Sequence, residues 1–99
     1  MKVTKENFKE EVLESSVPVL VDFYADWCGP CKMMAPTMEK LADGANGAYK
    51  VVKLNIDDDT EIAIQYGVMS IPTFIVFKDG KETAKSIGVT DIEELRKMI

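Results

Sequence analysis

Apolar residues change their period several times along this chain, and each change marks an element. Phe8, Val12 and Leu13 recur at helical spacing behind Thr4, a residue type that caps helices. The pattern predicts a helix over 5–14, broken by Val17-Pro18. Val19-Leu20-Val21-Asp22-Phe23-Tyr24-Ala25 is β-branched, aromatic and nearly continuous in hydrophobicity. That is the signature of a strand buried on both faces. From about 28 to 43 the period returns to that of a helix, with Met34, Met38, Leu41, Ala42 and Ala45 on one face and Gly44 and Gly47 at its end. A second strand is expected over 49–56. A short helix follows, capped by Asp59, running through Tyr66 and stopped by Gly67. Thr73-Phe74-Ile75-Val76-Phe77 reads as a third strand. Asp79-Gly80 reads as a two-residue hairpin turn, in which both central residues need positive φ. The returning strand covers 82–87, and Asp91 caps a last helix ending near Met98. Val3 fits a short extra strand at the N-terminus.

Strands that alternate with helices pair in parallel, and a closing hairpin adds antiparallel pairs. The expected fold is α/β: a central mixed sheet of four to five strands flanked by four helices, with helices on both faces. No repeat, linker or low-complexity tract divides the chain, so residues 1–99 read as one domain.

Composition narrows the function. There are 12 Lys and Arg against 17 Asp and Glu, for a formal net charge of −5. Nucleic-acid binding rests largely on neutralising phosphates, and no basic cluster is present to do so. No run approaches the ~20 apolar residues of a membrane helix. The first residues, Met1-Lys2-Val3-Thr4-Lys5-Glu6, lack the apolar stretch of a secretory signal, so a cytoplasmic protein is expected. The chain has two cysteines and no histidine. Ser-His-Asp and Cys-His catalysis are therefore outside its reach, as are zinc sites with histidine ligands.

Both cysteines lie in Trp27-Cys28-Gly29-Pro30-Cys31-Lys32, between a buried strand and a helix. A Cys28–Cys31 bridge closes so short a loop that its entropic value is only roughly 2 kcal/mol, a poor structural staple. A chemical role fits the position better. Unpaired amides and a partial positive charge at a helix N-terminus stabilise a thiolate. Cys28, at the helix start, is expected to be the more exposed thiol. Cys31, one turn on, is expected to be within bridging reach and more buried. That asymmetry suits attack by one thiol on a disulfide and resolution of the mixed disulfide by the other. Gly29 leaves the entrance open, Pro30 is tolerated in a first turn, and Lys32 adds positive charge.

At this point the chain resembles the thioredoxin family over essentially its whole length. The hexapeptide is that family's active-site motif. Further matches are Val21-Asp22-Phe23-Tyr24-Ala25 ahead of it, Pro36, Lys53-Leu54-Asn55-Ile56-Asp57, Tyr66-Gly67-Val68, Ser70-Ile71-Pro72-Thr73, Phe77-Lys78-Asp79-Gly80 and Gly88. The resemblance implies a thiol-disulfide oxidoreductase, a protein-disulfide reductase recharged by a thioredoxin reductase. It would maintain cell redox homeostasis as a monomer, with no dissociable cofactor and no metal. Thiol pKa values of roughly 3.5–7.5 are a known property of such Cys-x-x-Cys sites, thioredoxin's among them. Cys28 would be the nucleophile and Cys31 the resolving thiol. Asp22, which interrupts a buried strand, would be a desolvated acid that moves the Cys31 proton, and Lys53 would lie near it and tune it. Replacing Asp22 with Ala is then expected to slow the resolving step far more than it alters folding. The alternative for Asp22 is a carboxylate at a sheet margin, satisfied by solvent.

X-Pro bonds in folded proteins are cis in only about 5–6% of cases, so Pro72 taken alone would be a trans proline at a strand start. The match at 70–73 implies a cis Ile71–Pro72 bond, with Ile71 against the disulfide and its backbone free to pair with a bound peptide. Trp27, Gly29, Pro30, Ile71, Pro72, Gly88 and Val89 would form a flat apolar docking surface for oxidised protein substrates. Trp27 alone could equally be a core residue. Pro36 reads as a kink in the helix, and Met33, Met34 and Met38 as packing. Asp57-Asp58-Asp59 starts like a calcium loop, but Ile62 and Val68 occupy the positions of its glycine and bidentate glutamate. Tyr24 replaces a tryptophan frequent in the family, and Val89 replaces a small residue. Two rival readings stand beside this one: a binding or scaffold subunit with incidental redox activity, and a metal site shared across a dimer through both cysteines.

Overall fold

A computed structural model describes residues 1–99. Its elements, in chain order, are α1 (Lys9–Leu13), β1 (Val19–Tyr24), α2 (Gly29–Asp43), β2 (Lys50–Asn55), α3 (Thr60–Gln65), β3 (Thr73–Lys78), β4 (Lys81–Ile87) and α4 (Ile92–Met98). The strands form one sheet in the order β2-β1-β3-β4. β1 pairs in parallel with β2, and the other two pairings are antiparallel. This is the mixed sheet with four helices that the sequence predicts. Val3 does not form a full strand. Its segment makes a single parallel bridge, Lys2 to Lys53, on the outer edge of β2.

The alternation of strand side chains divides the core in two. Val19, Val21 and Phe23 of β1 face one side, with Phe8, Val12, Val52, Leu54, Ile75 and Phe77. Leu20 faces the other, where Met34, Met38 and Leu41 of α2 and Leu95 of α4 pack on Phe74 and Val76. Asp22 is two residues beyond Leu20, so it shares the α2 side. β4 is an edge strand, protected by charged Lys81, Glu82 and Lys85 and by a register shift at Val76/Phe77.

Several local expectations change. The predicted 5–14 helix becomes a turn followed by a wide π-helical stretch, closed by Glu14 N–H donating to the Lys9 carbonyl at 2.9 Å. Thr4 heads only the leading turn, accepting from the Glu6 amide at 3.3 Å while Asn7 Oδ1 accepts from the Thr4 amide at 2.7 Å; the helical stretch itself has Phe8 at its N-cap and no side-chain capping bond. Ala42 is exposed. It lies about 80° from Met34 around the helix at 100° per residue, outside the buried stripe. Met33 is likewise 69% exposed, so only Met34 and Met38 of the methionine group pack inside. Asp59 and Asp91 stand at helix N-caps, but neither side chain makes a capping bond. Asp59 Oδ1 instead accepts from the distant Lys5 amide at 3.0 Å, tying the N-terminal turn to α3. Pro36 sits inside α2, which continues through it. The hairpin is as expected: Asp79 has φ 52° and Gly80 φ 77°.

Candidate active site

The Cys28–Cys31 pair lies where the topology puts the strand-to-helix junction. Cys28 is the N-cap of α2, and Pro30 occupies its first turn. Cys28 Sγ accepts from the Cys31 amide at 3.2 Å, so one otherwise unpaired donor of the helix end points at this sulfur. The two sulfurs are bonded, with Cα atoms 5.2 Å apart. In this oxidised state Cys28 is 4% and Cys31 8% exposed. The expected greater exposure of Cys28 is therefore absent. Ile71 packs over the small cluster of Ala25, Cys28 and Cys31, and its carbonyl oxygen lies 3.8 Å from Cys28 Sγ.

Three loops meet around the disulfide. Trp27 is 68% exposed and is held by Nε1 donating to Asp57 Oδ2 at 2.8 Å, so it is a surface residue and not core. The Ile71–Pro72 bond is cis, with Pro72 buried. The Pro72 carbonyl accepts from the Gly88 amide at 2.8 Å, which draws the Gly88-Val89 turn alongside. Val89 is exposed, as are Gly29 and Pro30. A Cβ built on Gly29 would meet nothing within 4 Å, so the fold itself leaves that entrance open.

Beneath the disulfide, Asp22 is 4% exposed in the second strand of the sheet order, with its Oδ1 buried and without a hydrogen-bond partner. A solvated carboxylate at a sheet margin is thereby overturned. Burial pushes its pKa up from 3.8 to about 6, against the opposing pull of Lys53. Lys53 is its register partner on β2. A cavity of ≈ 130 Å³ joins the two residues to Cys31, lined also by Tyr24, Ala25, Asp26, Lys32 and Ala35.

Sequence reasoning missed two contacts at the site and one exposed apolar neighbour in the chain. Asp57 anchors Trp27 from 30 residues away, with no periodic signal to link them. The Tyr24 ring lies 4.5 Å from Lys53 Nζ. Met69 is 97% exposed, two residues before Ile71; an apolar side chain inside a turn segment was the available signal.

A redox-bonded cysteine pair at a helix N-terminus, over a buried acid in a mixed sheet, defines a thiol-disulfide oxidoreductase. Comparison with known proteins specifies the kind. The family model described as Thioredoxin matches residues 1–99. The chain is 52% identical over 86 residues to thioredoxin 1 of Synechococcus elongatus, covering 87% of this chain and 80% of the relative. It is 51% identical over 87 residues to thioredoxin 1 of a Nostoc species, covering 88% and 81%. Thioredoxin of Rickettsia felis is 49% identical over 87 residues, covering 88% and 83%. The chain belongs to the thioredoxin family. It is accordingly a protein-disulfide reductase whose redox centre is the Cys28–Cys31 pair, and the family implies a thioredoxin reductase and disulfide-bearing proteins as its partners.

Proposed function

We propose that Cys28 attacks, Cys31 resolves and Asp22 carries the proton. The Cys28 thiolate displaces one sulfur of a substrate disulfide, which leaves as a thiolate and forms a mixed disulfide with the other. Cys31 then loses its proton to Asp22 and attacks Cys28 Sγ. The second substrate sulfur leaves, and the Cys28–Cys31 bond closes. Two electrons have passed to the substrate, and a reductase returns them.

One observation carries the assignment of Asp22: its carboxyl is buried on the α2 side of the sheet, and a single cavity is shared by Asp22 and Cys31. That space is large enough for a bridging water, with Asp22, Asp26, Lys32 and Lys53 in its lining to hold one. A pKa of about 6 suits a base working near neutrality. Lys53, pulling the value down, keeps the carboxyl ionised often enough to accept a proton. Trp27, Gly29, Pro30, Ile71, Pro72, Gly88 and Val89 form the docking surface. Its support is the exposure of Trp27, Gly29, Pro30 and Val89, the packing of Ile71 on the disulfide, and the bond from the Gly88 amide to the Pro72 carbonyl that draws the Gly88-Val89 turn alongside. No backbone hydrogen bond of the chain uses the Ile71 amide or carbonyl, which leaves both free for an extended substrate segment.

The protein acts as a monomer in the cytoplasm, as one domain over residues 1–99. The net charge of −5 favours solubility, and no helix is long and apolar enough to cross a membrane. The roles separate in single-turnover insulin reduction. Cys31→Ser should accumulate a mixed disulfide on non-reducing gels, and Cys28→Ser should form none. Asp22→Asn should form it at the normal rate and resolve it at least about tenfold slower near pH 7. A normal resolving rate in Asp22→Asn would remove Asp22 from the mechanism.

A further inference from the structure

We infer that Tyr24 is a positioning residue for the proton-transfer step, its ring holding the Lys53 ammonium at the cavity shared by Asp22 and Cys31. The inference rests on the role of Asp22 proposed above and adds what keeps its tuning charge in place.

The Lys53 backbone is fixed on both edges. On one side it lies in register with Asp22 of β1. On the other its amide donates to the Met1 carbonyl and its carbonyl accepts from the Val3 amide, both at 2.8 Å. The side chain has no such restraint. All six ion pairs of the chain are made by other residues, and no hydrogen bond uses Lys53 Nζ. A lysine stem is long and flexible, and its ammonium is strongly hydrated. The contact that opposes its escape to solvent is the Tyr24 ring, 4.5 Å from Nζ. Tyr24 is two residues past Asp22 on the same strand face, diagonal to Lys53. An aromatic face attracts a cation within about 6 Å of its centroid.

The other groups facing the cavity do not replace this contact. Asp26 and Lys32 line it from the loop after β1 and from α2, Cys31 is bonded to Cys28, and the β3 residue opposite Asp22 is apolar Phe74. Lys2 is engaged with Asp58 at 3.3 Å. Freed from the ring, the Lys53 charge moves toward water, where it is screened. The Asp22 carboxyl then holds its proton to higher pH, and less of it is available as base.

Carboxyl-carbon NMR titration of Asp22 in the oxidised protein tests this, alongside the pH profile of mixed-disulfide resolution. Tyr24→Leu should raise the Asp22 midpoint by about half a pH unit, equivalent to ~0.7 kcal/mol, and move the rate profile upward with it. Tyr24→Phe, which keeps the ring, should leave both in place. In a Lys53→Met background Tyr24→Leu should add no further shift. Should Tyr24→Leu fail to fold, the Lys53 ε-methylene protons of the unaltered protein decide: an upfield ring-current shift supports the contact, and solution-like values overturn it. If Lys53→Met moves the midpoint and folded Tyr24→Leu does not, the inference about Tyr24 fails and the role of Asp22 stands. If Asp22 of the unaltered protein does not titrate near pH 6 and Asp22→Asn resolves normally, both fail.

Discussion

Asp22→Asn should stabilise the protein, and the gain should depend on pH in a way only this carboxyl can produce. The group titrates at 3.8 when unperturbed and at about 6 in the fold, because burial disfavours its charged form. Between those values the native state binds more protons than the unfolded chain. Stability must therefore fall as pH rises through that window. Roughly two pKa units at 1.36 kcal/mol each give a deficit of ~3 kcal/mol, complete above the upper value. The side chain is only 4% exposed, so solvent screening does little to reduce it. Asparagine has nearly the same shape and no such titration. The direct measurement is urea unfolding of both oxidised proteins at pH 3.5, 5 and 7. The difference in unfolding free energy should grow by ~3 kcal/mol across the series. With an m-value of about 1–3 kcal/mol/M, the midpoints should separate by a further ~1–3 M. An unsatisfied amide in the variant would add a constant offset, so the slope with pH decides the matter and not the value at one pH. A difference that stays flat from pH 3.5 to 7 would refute the reasoning. The expectation from sequence alone, that replacing Asp22 chiefly affects the resolving step, thus gains a stability effect of the opposite sign.

Gly80→Ala should lower stability by at least ~1–2 kcal/mol, because φ is 77° there and a Cβ would lie 2.9 Å from the Leu13 carbonyl oxygen; an unchanged urea midpoint would contradict this. Trp27, the one tryptophan, adjoins Cys28, so its emission should change when dithiothreitol opens the disulfide, and a redox-independent spectrum would show that the ring does not sense the site. Asp57→Ala removes the Trp27 anchor and should raise KM for a protein disulfide several-fold, while stability drops by no more than ~1 kcal/mol for an exposed hydrogen bond. Equal KM values would place Trp27 outside the docking surface.

What the sequence reveals and what it conceals follow from the range of the forces involved. The strands are legible because β-branched and aromatic runs carry their own period; β1 differs from expectation by one residue and β2 by one at each end. The Asp79-Gly80 turn is legible because positive φ is a local demand. Helix caps fail where a distant partner competes, as Lys5 does for the Asp59 carboxylate. The cysteine pair is legible because three residues of spacing and one helix end contain all its chemistry. The cis Pro72 is legible only through family likeness, since the local preference favours trans. The partnerships of Trp27 with Asp57 and Tyr24 with Lys53 depend on the register of β1 against β2, which no local pattern states. Nor does local pattern show that Ile71 closes over Cys28 and removes the expected difference in thiol exposure.

The lack of histidine makes the buried acid intelligible. A carboxyl in water titrates near 4 and is a weak base for a thiol at neutral pH. Within a chain without imidazole, a base near neutrality requires a carboxyl whose charged form has been made costly. Burying Asp22 at the centre of the sheet supplies that cost, and it also removes stability. Burial alone would carry the group further, toward a carboxyl that stays protonated and cannot accept. Lys53 opposes that, and its leverage depends on where its ammonium rests. Too close, it would return Asp22 to an ordinary carboxylate; lost to solvent, it would leave the acid protonated. The chain holds it at the intermediate position with a neutral ring, which fixes the cation without cancelling its charge, as a carboxylate partner would.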